Sequence, residues 1–212
     1  MRGFRVVGLL CFLLMPLAAG AHASEHAATP VKRALGGDFE LLDTDGRIFK
    51  LGSQRGKIVL IYFGYTGCPD ACPTDLLLFR DILERVGGRK ASVQPIFISV
   101  DPARDTPRNL TAYTQAFSPD ILALTGSERQ LRRVARAYGA HFSYVGRRAG
   151  SSTYTVDHSV SIYVVNGAGR LISVIPFGTP VDEVVRRIEG MLDTLTGGGV
   201  HPAVGGGTPM SR

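Results

Sequence analysis

The chain has 212 residues, long enough for one domain with a substantial core, and its formal net charge is +6, from 24 Lys and Arg against 18 Asp and Glu. The basic residues are interspersed and form no stripe interleaved with aromatic residues, which argues against nucleic acid as a partner despite the high pI. An anionic membrane or an acidic partner surface remains compatible with this charge.

The N-terminus has the pattern of a secretory signal peptide. Arg2 and Arg5 precede an apolar run over residues 6–19, and Ala21-His22-Ala23 provides a cleavage site of small residues. We predict export to the periplasm and removal of residues 1–23, which also removes Cys11 and leaves two cysteines. The alternative is an uncleaved anchor over residues 6–19 in the inner membrane, although this run is shorter than the roughly 20 residues that span a bilayer.

The remainder divides into three parts. Residues 24–36 are small and polar without periodicity and predict a linker. Residues 37–196 carry all the periodic segments and predict one domain. Residues 197–212 are rich in glycine and predict a disordered tail.

Strand and helix patterns alternate along the predicted domain. An Asp-Gly step predicts an N-terminal hairpin, and a capping box at Ser127 predicts a helix that ends at Gly139. In chain order the predicted elements are a hairpin over 39–51, strand 58–63, helix 75–86, strand 93–100, helix 107–117, strand 121–124, helix 127–138, strand 141–145, strands 159–165 and 171–175, and helix 180–195. This order predicts an α/β, thioredoxin-like three-layer fold with an extra N-terminal hairpin and a helix–strand insertion.

Cys68 and Cys72 lie where the first buried strand passes into a helix. Ligands of open α/β sheets bind at this junction, at the carboxyl end of a strand. A helix N-terminus also lowers the pKa of a thiol and so supplies thiolate, which is both a nucleophile and a metal ligand. The C-x3-C spacing alone leaves redox exchange, metal binding and a structural disulfide open.

Three motifs carry a resemblance to a known family. In order they are FGYTGCPDACPT at residues 63–74, SVDPARDTP at residues 99–107 and VDHS at residues 156–159. Together they resemble the Sco/SenC family of copper-binding proteins. The resemblance implies a periplasmic, membrane-proximal copper chaperone that holds one copper, as Cu(I) or Cu(II), through Cys68, Cys72 and His158. Gly67 departs from the pattern, since many members have a histidine there.

The resemblance also implies a recipient, the cytochrome c oxidase subunit that carries the CuA site. Other periplasmic copper chaperones or thiol reductants are further possible partners. The residues agree with copper, because thiolates with an imidazole suit Cu(I), whereas a structural zinc site normally uses four protein ligands. In an oxidising compartment Cys68 and Cys72 are expected to form a disulfide when metal is absent.

Four acidic residues lie beside these motifs. Asp157 could orient the His158 ring or cap a loop amide. Asp70 could tune the thiolates, contact a partner or lie on a solvated surface. Asp101 and Asp105 are predicted first as helix-start residues and second as partner contacts.

The rival function is a periplasmic thiol-disulfide oxidoreductase that uses Cys68 and Cys72, and some family members could combine both activities. Enzymes of the thioredoxin type usually have C-x2-C, a nearby Trp and a cis-Pro before the penultimate strand. This chain has C-x3-C, no Trp, and Thr155-Val156-Asp157-His158 at the place of the Pro. A peroxiredoxin-like peroxidase is a more distant alternative.

Overall fold

The computed structural model describes residues 35–150 and 153–196. The predicted signal peptide, the linker up to residue 34 and the predicted glycine-rich tail lie outside the described residues. Within the described ranges, no helix is both long and apolar enough to cross a membrane.

The described chain forms a seven-stranded sheet, a separate two-stranded sheet and four α-helices. The seven-stranded sheet has the order β2-β1-β5-β4-β3-β8-β9, in which β3–β4 and β4–β5 are parallel and the other pairs antiparallel. The elements are β1 (Glu40–Asp43), β2 (Ile48–Lys50), β3 (Ile58–Gly64), α1 (Ala71–Val86), β4 (Val93–Ser99), α2 (Pro107–Gln115), β5 (Leu122–Thr125), α3 (Glu128–Tyr138), β6 (Phe142–Val145), β7 (Thr155–His158), β8 (Ser161–Val165), β9 (Leu171–Pro176) and α4 (Val181–Thr196).

Strand β3 is buried at all seven positions because side chains cover both of its faces. Successive residues point to opposite faces, so Val59 and Ile61 join one apolar cluster while Leu60 and Tyr62 join the other. Helices α1, α2 and α4 supply the second cluster, and α3 packs on the first. This three-layer arrangement confirms the predicted α/β, thioredoxin-like fold.

Two differences from the predicted elements concern the candidate site. Helix α1 begins at Ala71 rather than Asp75, so Cys72 lies in its first turn. The prediction followed the leucine periodicity, whereas the helix extends back through Pro73, whose missing N–H costs nothing in a first turn. The second difference is β7, which pairs with β6 although no strand was predicted for its residues.

The predicted helix starts at Thr106 and Ser127 are confirmed. The Thr106 side chain accepts from the Asn109 N–H with Pro107 as the first helical residue, and Ser127 forms its capping box with Gln130. Helix α2 ends at Gln115, two residues before the predicted end.

Candidate metal centre

Two separate parts of the fold bring Cys68, Cys72 and His158 together. The cysteines follow the end of β3, on the loop and the first turn of α1, and His158 ends β7. One ligand atom from each of the three residues lies within 4.8 Å of the others. The Cys72 Sγ lies 3.6 Å from the His158 Nε2. Cys72 and His158 are buried, whereas Cys68 is partly exposed.

The position of His158 follows from the pairing of β6 with β7. Phe142 lies opposite His158, and the alternation along β7 buries Val156 and His158 while it exposes Thr155 and Asp157. The His158 Nδ1 lies 3.1 Å from the Ser159 carbonyl oxygen. Because a carbonyl only accepts, Nδ1 carries the proton, and the lone pair of Nε2 is available to a metal.

Aromatic rings enclose the His158 imidazole. The Tyr62 and Tyr65 rings approach it edge-on, with centroids at 6.0 Å and 5.8 Å. These contacts fix the plane of the imidazole and exclude water from its sides, so the ring is preorganised before any ligand arrives.

The two thiols differ in protonation. A hydrogen bond from Cys72 lowers the pKa of Cys68 to about 4, against the opposing effect of burial. The same hydrogen bond, together with burial, raises the pKa of Cys72. These opposite shifts favour the negative charge on Cys68 and the proton on Cys72. Neither cysteine forms a disulfide in this structure, and the predicted disulfide remains a prediction.

Gly64, the last residue of β3, leaves room for this arrangement. A Cβ at this position would stand 2.7 Å from the Cys72 Sγ, 2.8 Å from a Phe97 ring carbon and 2.9 Å from a Tyr62 ring carbon. Any larger residue would displace at least one of these groups, so the absence of a side chain lets the Cys72 thiol pack against the end of the strand.

Asp101 and Asp105 are buried in the loop between β4 and α2. Asp105 accepts from the Thr66 N–H at 3.0 Å, the Thr66 hydroxyl at 2.6 Å and the Ser99 hydroxyl at 2.6 Å. It therefore ties this loop to the loop that carries Cys68. Neither residue starts a helix, since Thr106 caps α2.

Asp101 has its own set of partners. It accepts from the Tyr154 hydroxyl at 2.6 Å and forms an ion pair with Arg104, whose guanidinium lies 3.7 Å from the Tyr154 ring centroid and 5.5 Å from the Tyr65 ring centroid. Since Asp101 and Asp105 are both buried, neither carboxylate is on the surface to contact a partner directly. Both instead fix the loops around the centre.

Asp70 and Asp157 are exposed. Asp70 precedes α1 without capping it through its side chain, while its carbonyl oxygen accepts from the Thr74 hydroxyl. Asp157 lies on the opposite face of β7 from His158, whose ring instead meets the Ser159 carbonyl.

Asp75 and Tyr62 lie beside the site but were not predicted from the sequence as site residues. Asp75 is buried on the apolar face of α1 with Cys72, Leu76 and Phe79, and Tyr62 is fully buried on β3. One signal was available, because Asp75 lies three residues after Cys72 and directly before the leucine pattern, where an acidic residue falls on the inward face of the helix.

Comparison with known proteins identifies the family. The sequence model of the family described as SCO1/SenC matches residues 27–193. The chain belongs to the SCO1/SenC family. A SCO2-like protein of Rickettsia felis is 35% identical over 156 residues, which cover 74% of this chain and 76% of the relative. The mitochondrial SCO2 homolog of Bos taurus is 42% identical over 135 residues, 63% of this chain and 50% of that protein.

Solved structures of SCO1/SenC relatives agree with this assignment. Yeast Sco1 with copper bound is 32% identical, with a TM-score of 0.70, and the match covers 80% of this chain and 92% of that one. Bradyrhizobium japonicum ScoI with copper bound is 35% identical, with a TM-score of 0.68, and covers 75% of this chain and 100% of that one.

Proposed function

We propose that this SCO1/SenC protein is a copper chaperone that holds one copper ion through Cys68, Cys72 and His158 and passes it to the CuA site of cytochrome c oxidase. The observation that carries the proposal is the meeting of two sulfur atoms and one imidazole nitrogen within 4.8 Å. Two thiolates and a neutral imidazole form a soft donor set that suits copper.

The geometry of the three donors supports this use. The His158 ring already presents Nε2, so it needs no reorientation, and the Cys68 sulfur is already a thiolate at neutral pH because its pKa is about 4. Cys72 must lose its proton on metal binding, so copper uptake releases about one proton from the site at neutral pH.

Release of copper is favoured at Cys68. Cys72 and His158 are buried, whereas Cys68 is partly exposed. A thiolate of the recipient can therefore approach from the Cys68 side and replace the ligands one at a time, without free copper in solution. The resemblance of the three sequence motifs to the family supports this recipient, and it also supports a periplasmic, membrane-proximal location.

Copper titration of the reduced protein tests the ligand set. We expect Cys68→Ala and Cys72→Ala to abolish tight binding, and His158→Ala to weaken it and alter the X-ray absorption spectrum at the copper edge. His141→Ala is the matched control, because His141 is an exposed histidine beside Ser159 and outside the ligand group. Parent-like binding by all three ligand variants would refute the assignment.

Delivery is tested in cells. A strain without this gene should lose oxidase activity at limiting copper and recover part of it when copper is added. The Cys68→Ala/Cys72→Ala double variant should not complement the loss, whereas the parent gene should.

A thiol-disulfide oxidoreductase is the second candidate, favoured by the opposite pKa shifts of Cys68 and Cys72. A partly exposed low-pKa thiolate beside a buried thiol is suited to attack a disulfide and then resolve the mixed disulfide. Normal oxidase activity in the deletion strain at limiting copper, together with a general defect in disulfide reduction, would favour this second function.

A further inference from the structure

Asp75 is a buried carboxylate close to the candidate metal centre that the proposed ligand set does not use. The residue is 3% exposed, and it forms no ion pair among the described residues. Its Oδ2 has no hydrogen-bond partner among the described protein atoms. A buried carboxylate oxygen without a partner is costly for the folded state, so its presence on the buried face of α1 requires an explanation.

Tyr62 connects this carboxylate to the ligands. The Tyr62 hydroxyl is also buried without a hydrogen bond of ordinary geometry, and its ring lies edge-on to the His158 imidazole at 6.0 Å. The atoms around Gly64 show that the Tyr62 ring and the Cys72 sulfur border the same small space. Asp75 lies three residues after Cys72 on the same buried face of α1, and the Tyr62 hydroxyl lowers the pKa of both groups.

The electrostatic neighbours of Asp75 are also site residues. Burial raises the pKa of Asp75 to about 7, while interactions with the Tyr62 hydroxyl and with His158 lower it and Cys68 raises it. The carboxylate thus interacts with two of the three proposed ligands, and a positive charge placed among those ligands would stabilise its ionised form.

The charge of the site differs between the two oxidation states of copper. Two thiolates and a neutral imidazole give a net charge of zero with Cu(II) and of minus one with Cu(I). A nearby anionic carboxylate therefore repels the Cu(I) form and leaves the neutral Cu(II) form less affected.

We propose that Asp75 is a positioning residue which acts through Tyr62 and the ligands to set the oxidation-state preference of the bound copper, shifting it toward Cu(II). This inference rests on the proposed copper site. It assigns to Asp75 a role in tuning the site rather than in binding the metal, since no Asp75 oxygen belongs to the ligand group.

The test compares dissociation constants for Cu(I) and for Cu(II), each measured by competition with a chelator at pH 8, on the reduced protein. We expect Asp75→Asn to change the ratio of the two dissociation constants roughly tenfold in favour of Cu(I). Substitutions of residues next to metal ligands typically change metal affinity by about this factor. A tenfold change corresponds to a rise of about 59 mV in the one-electron reduction potential of the bound copper.

Three further variants separate charge from packing. Asp75→Glu keeps the charge and should keep the ratio within about threefold of the parent value. Asp75→Leu removes the charge with a different side chain and should shift the ratio in the same direction as Asp75→Asn. Asp81→Asn, on the same helix but half-exposed beside Arg80, is the matched control and should leave the ratio unchanged.

The outcomes distinguish the two proposals. This inference is overturned if Asp75→Asn leaves the ratio of the Cu(I) and Cu(II) dissociation constants unchanged. It is also overturned if the variant loses affinity for both ions equally, as a packing defect would cause. In both cases the proposed copper site itself stands. A parent protein that binds neither form of copper overturns the proposed function and this inference with it.

Discussion

Two buried carboxylates near the candidate metal centre have contrasting surroundings. Asp105, 2% exposed, accepts three hydrogen bonds from Thr66 and Ser99. Asp75, 3% exposed, has an oxygen without any partner among the described protein atoms. The two buried carboxylates therefore have different roles. The satisfied carboxylate holds two loops together, whereas the unsatisfied one remains available to respond to a charge that arrives at the site.

The pH dependence of stability should reveal the burial of Asp75 most strongly. Burial also raises the pKa of Asp105, but the hydrogen bonds from Ser99 and Thr66 act against this rise. Burial raises the pKa of Asp75 to about 7, so the folded state holds this proton more tightly than the unfolded state, whose carboxyl titrates near pH 4. The contribution to the free energy of unfolding is therefore greatest below pH 4 and is lost as the pH rises to about 7.

Asp75→Asn should remove this pH-dependent decrease in the free energy of unfolding, which amounts to up to about 4 kcal/mol between pH 4 and pH 8. Urea unfolding of the reduced, metal-free protein at both pH values measures it. Parallel pH profiles in the parent and the Asp75→Asn variant would contradict the expected burial of this charge.

Asp105→Ala should reduce the free energy of unfolding by about 3 kcal/mol, because it leaves two donors of the partly buried Thr66 and one of the buried Ser99 without an acceptor. Chemical denaturation measures the change. Asp120→Ala is the control, since Asp120 forms an exposed ion pair with Lys90 and should contribute less than about 1 kcal/mol. Equal effects of the two variants would break the distinction between a satisfied buried acid and a surface acid.

Gly64→Ala tests how little space surrounds the Cys72 sulfur. The new Cβ would stand within 2.9 Å of three heavy atoms, and overpacking of this kind costs about 2 kcal/mol. Copper affinity should fall as well, because the thiol is displaced. Gly52→Ala is the matched control, since nothing lies within 4 Å of its Cβ position. A Gly64→Ala protein with parent-like stability and copper binding would mean that the site accommodates the methyl group.

Cys72→Ala should raise the pKa of Cys68, because the hydrogen bond from Cys72 is the largest cause of its low value of about 4. At pH 5 the thiolate fraction, and with it the rate of alkylation by iodoacetamide, should fall at least roughly tenfold. An unmoved midpoint in Cys72→Ala would contradict the assigned direction of this hydrogen bond.

Asp157→Ala should have the smallest effect. Its side chain lies on the exposed face of β7, away from His158, so the free energy of unfolding should change by less than about 0.5 kcal/mol. Copper affinity should equal that of the parent. A tenfold loss of affinity would restore the idea that Asp157 orients the imidazole.

The sequence predicted those features that depend on local pattern. The capping box at Ser127, the Pro107 helix start and the buried strand β3 follow from residue types at fixed spacing, and the structure confirms them. The approach of the two cysteines to His158 was predicted by family resemblance, since no local pattern reports a contact between residues 86 positions apart.

The missed features depend on tertiary context. Strand β7 is short and becomes a strand only because β6 lies beside it. The start of α1 at Ala71 depends on how the loop after Gly64 packs, and not on the leucine repeat that revealed the rest of the helix. Asp75 could not be recognised as buried from its residue type, because isolated acids are rarely placed in a core.

The separation of the two-stranded sheet from the main sheet has a mechanical consequence. His158 lies on the β6–β7 sheet, while Cys72 belongs to the helix after β3, and 86 residues separate them along the chain. A metal held by both would act as a cross-link that closes this long loop and restrains the smaller sheet. Amide hydrogen exchange in β6 and β7 should therefore slow when copper is bound and accelerate when copper is released. Release of the ion would thus increase the mobility of the small sheet that carries His158.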